Sequence, residues 1–308
     1  NGTAAIHALA AAMNMRAERT LRWATQAFTF PSSNLGPLRD SLVLDDDEAA
    51  GGPSLEQLEA HKDDIDVVVV TNPFGLVTDV LRYRKWCKAN DKLLVLDNAA
   101  TPYTFVADEE GNQVNSCDLC DASIISFHET KMLGRGEGGC VLCPTDLAKI
   151  VIRACNFGFG FGAAARVHKS EASNWRMSDI AAAFLHANLE AWTATRIHRC
   201  SDLAKVAVRA VRESPHLDWL LPHQPPSGGR AILGCIPLRC AVPIDVAAFA
   251  SATGIEAKQY YLPLRKDCPV AQDKFAHVLC LPLHSNMSKA TVLDLVAAAE
   301  AHVAAAAV

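Results

Sequence analysis

The sequence lacks any hydrophobic run long enough to cross a membrane. Its apolar runs are short or interrupted by charged residues, whereas a membrane-spanning helix needs about 20 mainly apolar residues in succession. The alanine-rich segments 8–12 and 297–307 predict helices, because neither has the charged start or the cleavage pattern of a signal peptide. These absences favour a cytoplasmic protein.

The chain also has little net charge. Its 29 basic and 34 acidic residues are interspersed and give a net charge of −5, so we expect neither a nucleic-acid partner nor an anionic membrane partner. No G-x-G-x-x-G sequence follows the first predicted strand with a suitably placed acidic residue, which argues against a dinucleotide-dependent oxidoreductase. The glycines at 158, 160 and 162 come too late for that role and predict a flexible loop.

Cysteine, in contrast, is plentiful but shows no regular disulfide framework. Eleven cysteines in such an arrangement are typical of reduced thiols in a cytosolic enzyme. Cys117, Cys120, Cys140 and Cys143 form two C-x2-C pairs separated by 19 residues, a spacing that fits a zinc ribbon. Against that alternative, the second pair lies in an apolar, strand-like run, where residues three apart point to opposite faces. We therefore expect no metal site and keep the zinc ribbon as a minor alternative.

Predicted strands alternate with predicted helices, which indicates an α/β fold with a mainly parallel sheet. With 308 residues and 50% hydrophobic composition, the chain can bury a substantial core in one large domain or two. The proline-rich segment 222–229 predicts a break, and we divide the chain into a large domain, residues 1–190, and a small C-terminal α+β domain, residues 191–308. Strands are predicted at 21–27, 41–44, 66–71, 92–96, 122–127 and 139–142, and helices at 1–15, 54–61, 77–90 and 177–211.

One lysine lies between a strand-like apolar run and a glycine-rich loop. Lys131 ends the segment 126–131 (Ser-Phe-His-Glu-Thr-Lys), and glycines follow at 134, 136, 138 and 139. A lysine in a partly desolvated pocket loses proton affinity and becomes a usable amine nucleophile. Such an amine forms a Schiff base with the aldehyde of pyridoxal 5′-phosphate (PLP). For Lys131 alone a surface loop lysine is the simpler interpretation, so the hypothesis depends on residues elsewhere.

Several of those residues have types that suit a bound PLP. Asp97 follows a buried strand, where open α/β sheets bind ligands, and its carboxylate would need a cation such as a protonated pyridine nitrogen. Gly2 and Thr3 open a helix whose free N–H groups attract phosphate, and Ser126 could add a hydroxyl. Phe30 could stack on a flat ring. Taken singly, each has a commoner structural role, such as a helix cap for Asp97 or a core position for Phe30.

Eight segments occur in an order and spacing that resemble one family along nearly the whole chain. They are residues 1–5, 29–30, 97–100, 126–131, 136–139, 174–178, 260–264 and 281–284. Together they resemble the DegT/DnrJ/StrS-type sugar aminotransferases, which are PLP enzymes of fold type I. The resemblance implies a mainly parallel, seven-stranded sheet with helices on both faces in the large PLP-binding domain.

The resemblance also implies roles for the residues that match the family's motifs. Lys131 matches the lysine that forms the internal aldimine and later moves the proton between cofactor and substrate. Asp97 matches the carboxylate on the pyridine nitrogen, and Phe30 matches the aromatic residue stacked on the ring.

The remaining matches concern the phosphate and a second subunit. Gly2, Thr3 and Ser126 match the phosphate-binding cup. Asn174 matches an asparagine that reaches the phosphate from the partner subunit, so the resemblance implies a homodimer with shared active sites. Arg135, Arg166 and Arg176 are further candidates for contacts with a carboxylate or diphosphate.

The activity that the resemblance implies is transfer of an amino group from glutamate to a keto sugar in deoxyamino sugar biosynthesis, and it favours a nucleotide-linked sugar. A PLP-dependent sugar dehydratase of the same fold is one alternative, although those relatives carry histidine in place of the lysine, and Lys131 argues against it. A catalytically silent or regulatory protein that keeps the fold is the second alternative.

Two departures from the family pattern bear on these expectations. Ala100 stands where relatives have Gln or His near the cofactor's phenolic oxygen, and we expect this change to alter the tuning of the imine pKa. The sequence starts on Asn1 without a preceding methionine, so we expect that an N-terminal stretch present in relatives is missing. Its absence is expected to weaken PLP binding or assembly.

Overall fold

A six-stranded, mainly parallel sheet forms the centre of the N-terminal half. The computed structural model describes residues 1–48, 51–75, 78–102, 104–134, 136–159, 171–220 and 232–307. The strands are β1 (Trp23–Gln26), β2 (Leu42–Leu44), β3 (Val67–Thr71), β4 (Leu93–Asp97), β5 (Phe105–Ala107), β6 (Gln113–Asn115), β7 (Ala122–Ser126), β8 (Gly139–Leu142), β9 (Leu217–Trp219), β10 (Cys235–Cys240) and β11 (Val278–Pro282).

Helices cover this sheet and a second, smaller one. The helices are α1 (Gly2–Ala17), α2 (Leu55–Ala60), α3 (Val80–Ala89), α4 (Thr145–Cys155), α5 (Asp179–Trp192), α6 (His198–Arg212), α7 (Val246–Thr253), α8 (Pro269–His277) and α9 (Lys289–Ala306). Among the helices in the described ranges, none combines the length and the apolarity that a bilayer crossing requires.

The large sheet has the order β2-β1-β3-β4-β7-β8. All neighbouring strands are parallel except β7 and β8, which are antiparallel. A loop without a crossover helix joins β7 to β8, and such a connection returns the chain in the opposite direction. The α/β class and the mainly parallel sheet are confirmed, with six strands in the described ranges where the resemblance implied seven.

The central strands of the sheet and helix α1 are buried because apolar side chains occupy nearly all of their faces. All five residues of β3 are buried, as expected for a parallel strand covered on both faces. Helix α1 is likewise buried along most of its length and packs against α4, β7 and β8. Asn1 caps α1, since its Oδ1 accepts a hydrogen bond from the N–H of Ala4 at 3.0 Å. The N-terminus of α1 therefore lies at the end of β7.

Asp97 is the last residue of β4 and not, as the sequence pattern predicts, the residue after the strand. The strand extends by one residue because Asp97 aligns with Thr71 on one side and with Ile124 on the other. Its C=O accepts a hydrogen bond from the N–H of Asn72 at 3.0 Å. The parallel register thus brings the carboxyl ends of β3, β4 and β7 to one edge of the sheet.

The second sheet is antiparallel, with the order β11-β10-β9. Its core is shared with α6 and α9 and also contains Phe28 and Phe74, which belong to loops after β1 and β3. Helix α5 continues through a π-helical turn, Thr193–Ile197, into α6. The expected boundary between residues 190 and 191 falls within this continuous helical stretch, and the division into two domains remains a prediction.

An ion-pair cluster joins the starts of β1 and β3. The Asp66 carboxylate accepts hydrogen bonds from the guanidinium groups of Arg19 (2.9 and 3.1 Å) and Arg22 (3.1 and 3.0 Å), and from the N–H of Arg22 (2.8 Å). The hydrogen bonds from Arg19 and then from Arg22 hold the pKa of the Asp66 carboxyl well below its usual value.

We predict that Asp66→Asn lowers the free energy of unfolding at pH 7 and that this loss shrinks at acid pH. A carboxyl whose pKa is depressed by folding stabilises the fold above its unfolded-state pKa of about 3.9, and this stabilisation disappears as the pH falls towards its folded pKa. Urea unfolding at pH 7 and pH 3 measures the difference, with the exposed Asp40→Asn as control. An equal loss at both pH values would contradict the prediction.

Candidate active site

A buried carboxylate and a half-buried lysine face the carboxyl edge of the large sheet. Asp97 is 2% exposed, and its Oδ1 accepts a hydrogen bond from the N–H of Ala99 at 3.0 Å. Lys131 follows β7 in the turn 128–131, which is closed by a hydrogen bond from its own N–H to the C=O of His128 at 2.8 Å. Among the described residues, neither side chain has an ion-pair partner within 4.0 Å.

The electrostatics of this pair follow from burial and from the opposite charge. Burial raises the pKa of Asp97, while the hydrogen bond from Ala99 and the charge of Lys131 act in the other direction. Burial also lowers the pKa of Lys131, opposed by the charge of Asp97. The two groups therefore influence each other's pKa without forming an ion pair. The charge of each group offsets only part of the pKa shift that burial causes in the other.

The N-terminus of α1 forms a narrow cradle beside Ser126. The N–H of Gly2 donates to Ser126 Oγ at 3.3 Å, and the N–H of His128 donates to the same oxygen at 3.2 Å. A Cβ at position 2 would lie 3.1 Å from the Cβ of Ser126 and 3.2 Å from that of Ala99, so the close approach favours glycine. Thr3 lies in the same first turn, where N–H groups and the helix dipole favour an anion.

Four aromatic side chains, Phe28, Phe30, Phe74 and Tyr261, form what we term the aromatic wall. Phe74 and Tyr261 are stacked, with ring centroids 5.2 Å apart and planes at 6°. Phe28 contacts both rings edge-on at 6.4 and 5.9 Å, and Phe30 contacts Tyr261 edge-on at 6.3 Å. Phe30 is 52% exposed, so much of its ring remains open to a ligand.

Sequence reasoning assigned no role to Tyr261 or to Cys235, although both are electrostatic neighbours of the predicted residues. Burial raises the pKa of Tyr261, and the neighbouring Cys235 and Asp97 raise it further. Cys235 also influences the pKa of Lys131. The pair Tyr260–Tyr261 was visible in the sequence as part of the family pattern. Nothing in the local sequence around Cys235, the first residue of β10, indicates that it affects the pKa of Lys131.

Within the described ranges, the bridge and the hydrogen bond of Asn174 do not involve Asp97, Lys131, Ser126 or Phe30. It forms an isolated bridge with Asn156, and its Oδ1 accepts a hydrogen bond from Arg176 Nε at 3.2 Å. Both Asn174 and Arg176 are exposed. Arg135 and Arg166, as well as Gly160 and Gly162 of the expected loop, lie outside the described residues.

The cysteine pairs do not form a metal centre in the described ranges. There, no group of three or more His, Cys, Asp or Glu side chains is arranged to hold a metal ion. Cys117 instead accepts a hydrogen bond from Asn98 Nδ2 at 3.2 Å. The zinc-ribbon alternative therefore gains no support from the geometry.

The residues fit a flat cofactor with a cationic ring nitrogen, an aldehyde and a phosphate. The buried carboxylate of Asp97 lacks a direct cationic partner within the described part of the chain, and Lys131 offers an amine whose pKa is lowered. The cradle of Gly2 and Ser126 is suited to a phosphate. PLP carries all three complementary groups, so the residues at the carboxyl edge of the large sheet match that cofactor.

Comparisons with known proteins agree with this chemistry. The model of the DegT/DnrJ/EryC1/StrS aminotransferase family matches residues 1–300. Among solved structures, aminotransferase TlmJ from Streptoalloteichus hindustanus is 20% identical, with a TM-score of 0.80 over 98% of this chain and 85% of that chain.

Two further structures show the same likeness. Putative sugar aminotransferase Spr1654 from Streptococcus pneumoniae, in its PLP form, is 17% identical, with a TM-score of 0.79 over 97% of this chain and 86% of that chain. DesI, determined in the presence of its TDP-sugar product, is 21% identical, with a TM-score of 0.77 over 98% of this chain and 79% of that chain. At these identities the structures establish the shared fold.

We predict that Lys131 reacts with an amine-specific acylating reagent at lower pH than exposed lysines do. Its pKa is lowered by burial, whereas ion pairs raise the pKa values of Lys62 and Lys258, which serve as internal controls. Asp97→Asn removes the charge that opposes this lowering and should move the labelling midpoint of Lys131 further down. Mass spectrometry of labelled peptides across pH measures the midpoints. A midpoint for Lys131 at or above those of the controls would contradict the prediction.

Proposed function

The chain belongs to the DegT/DnrJ/EryC1/StrS aminotransferase family, whose members use PLP, and from this premise we propose that it transfers an amino group from glutamate to the ketone of a nucleotide-linked sugar. The observation that carries the proposal is the pair of Asp97 and Lys131, buried or half-buried and held apart at one edge of the sheet. The TDP-sugar product with which DesI was crystallised supports a nucleotide-linked substrate, and the family resemblance supports glutamate as donor.

The proposed roles follow from the chemistry of each residue. PLP, when bound, acts as an electron sink for charge that develops on the substrate carbon. The carboxylate of Asp97 would bind the protonated ring nitrogen and keep that proton in place. The hydroxyl of Ser126 would donate a hydrogen bond to the phosphate, Gly2 and Thr3 would bring the N-terminus of α1 close to it, and Phe30 would cover one face of the ring.

Lys131 has two successive roles in this scheme. Its Nζ would hold the cofactor through the cofactor's aldehyde group. As a free amine, the same Nζ would accept the proton from the donor's Cα as a general base, and it would return a proton to the sugar carbon as a general acid. A pKa lowered by burial increases the neutral fraction of this amine near pH 7, which both roles need.

Spectroscopy with the wild type and Lys131→Ala tests this function. The wild type should gain a visible absorption band with added PLP, borohydride should attach the label to Lys131, and glutamate should bleach the band. Lys131→Ala should lose the label and lower amino transfer by about 10³-fold or more, whereas the exposed control Lys62→Ala should match the wild type. A band that forms but that no amino donor discharges would favour the catalytically silent alternative.

We further propose that two chains form a homodimer in which each supplies Asn174 to the other's site. Helix α5 supports this proposal, because its apolar residues Ile180 and Phe184 are 85% and 51% exposed and Trp192 is its only buried residue. An exposed apolar helix of this kind is typical of a surface that another protein covers. The site residues of one chain and Asn174 of the other would then complete one active site.

Mixing two inactive variants tests the shared site. Lys131→Ala and Asn174→Ala homodimers should each be impaired, but after unfolding and refolding together half of the dimers carry both variants. Each mixed dimer has one intact site, so about one quarter of the wild-type activity should return. Tagged subunits and size-exclusion chromatography verify that mixed dimers form. Mixed dimers without regained activity would contradict the assignment of Asn174.

A further inference from the structure

A buried ion pair links helix α8 to the loop 45–47, which contacts the backbone of Phe28 in the aromatic wall. Lys274 of α8 lies with its Nζ 3.0 Å from Asp46 Oδ2, and the two side chains are 6% and 1% exposed. Lys274 Nζ also donates a hydrogen bond to the C=O of Asp47 at 3.3 Å. In the described ranges, every other ion pair has at least one partner that is more than a tenth exposed.

Burial makes this pair a poor source of net stability. Removing the charge of Asp46 from water raises its pKa, and the charge of Lys274 opposes that shift. A buried ion pair often stabilises a fold no better than well-packed apolar side chains of similar volume. We therefore expect the main effect of the pair to be on the positions of the backbone groups that it binds.

The pair holds the backbone at the end of β1. Asp46 Oδ1 accepts a hydrogen bond from the N–H of Phe28 at 2.9 Å, and the C=O of Phe28 accepts one from Gln26 Nε2 at 3.3 Å. The neighbouring Asp45 carboxylate caps α8 by accepting hydrogen bonds from the N–H groups of Val270 and Ala271, both at 3.0 Å. The loop 45–47 is thus bound to α8 and to Phe28 at once.

Phe28 in turn contacts the rest of the aromatic wall. Its ring touches Phe74 and Tyr261 edge-on, and Phe30 follows two residues later and touches Tyr261. A displacement of the Phe28 backbone would therefore be transmitted to the ring that is open to the ligand. Because interiors are close-packed, neighbouring rings cannot remain in place when one of them moves.

We propose that the Lys274–Asp46 pair positions the aromatic wall for PLP by holding the Phe28 amide. Lys274 and Asp46 are positioning residues in this proposal, since they act through the Phe28 N–H. The part that concerns PLP rests on the proposed function, whereas the restraint on Phe28 does not.

Two double variants separate the hydrogen bond from the charge. Asp46→Asn/Lys274→Met removes both charges but keeps an amide oxygen that can accept from the Phe28 N–H. Asp46→Leu/Lys274→Met removes both charges and also the acceptor. The surface pair of Glu256 and Lys258, 2.8 Å apart, supplies the matched control Glu256→Gln/Lys258→Met. Should the Leu/Met protein fail to fold, Asp46→Ala/Lys274→Met also removes the acceptor without crowding the site.

Two readouts are compared across these variants. Hydrogen exchange of the Phe28 amide, measured without PLP, should become about tenfold faster in Asp46→Leu/Lys274→Met and stay near the wild-type rate in Asp46→Asn/Lys274→Met. The PLP dissociation constant should rise by about tenfold in the first variant only, with an altered visible circular dichroism band. The control variant should match the wild type in both readouts.

The outcomes that overturn the proposal are distinct from failure of the proposed function. Wild-type PLP affinity in the Leu/Met variant, or an equal loss in both double variants, would show that the Phe28 hydrogen bond does not position the wall. Unchanged Phe28 exchange in the Leu/Met variant would also overturn it. If the wild type bound no PLP while Phe28 exchange still separated the two variants, the proposed function would fail and the restraint on Phe28 would be supported.

Discussion

The structure depends on keeping a buried carboxylate and a half-buried lysine apart at the carboxyl edge of the large sheet. Asp97 is buried and Lys131 half-buried, yet neither forms a close ion pair in the described part of the chain. Burial shifts both pKa values toward the neutral forms, and each group partly offsets the shift of the other. Such an arrangement costs stability unless a ligand compensates it.

The parallel sheet creates this constraint through its register. Because Thr71, Asp97 and Ile124 align across β3, β4 and β7, the carboxyl ends of these strands lie at one edge of the sheet. Helix α1 adds its N-terminus beside Ser126, where a residue larger than glycine at position 2 would crowd Ser126 and Ala99. Packing of the apolar α1 against β7 and β8 thus sets the distance between the anion cradle and the charged pair.

The C-terminal half contributes to the same site through long-range contacts. Tyr261 stacks on Phe74, and Asp45 and Asp46 bind α8 through backbone caps and the Lys274 ammonium. The aromatic wall is therefore built from segments of both halves, which explains why Phe28 and Phe74 belong to the core of the antiparallel sheet.

Local patterns in the sequence determined much of the fold and part of the site. Runs such as 67–70 specify buried strands, and Ser54 caps α2 by accepting a hydrogen bond from the N–H of Gln57. The sequence also predicted that Lys131 lies between a strand and a glycine-rich loop. It placed the end of β4 one residue too early. Tertiary structure alone decided that Tyr261 stacks on Phe74 and that Lys274 pairs with Asp46. The physical reason is that periodicity and capping act over a few residues, whereas these contacts depend on sheet register and on the packing of segments far apart in the chain.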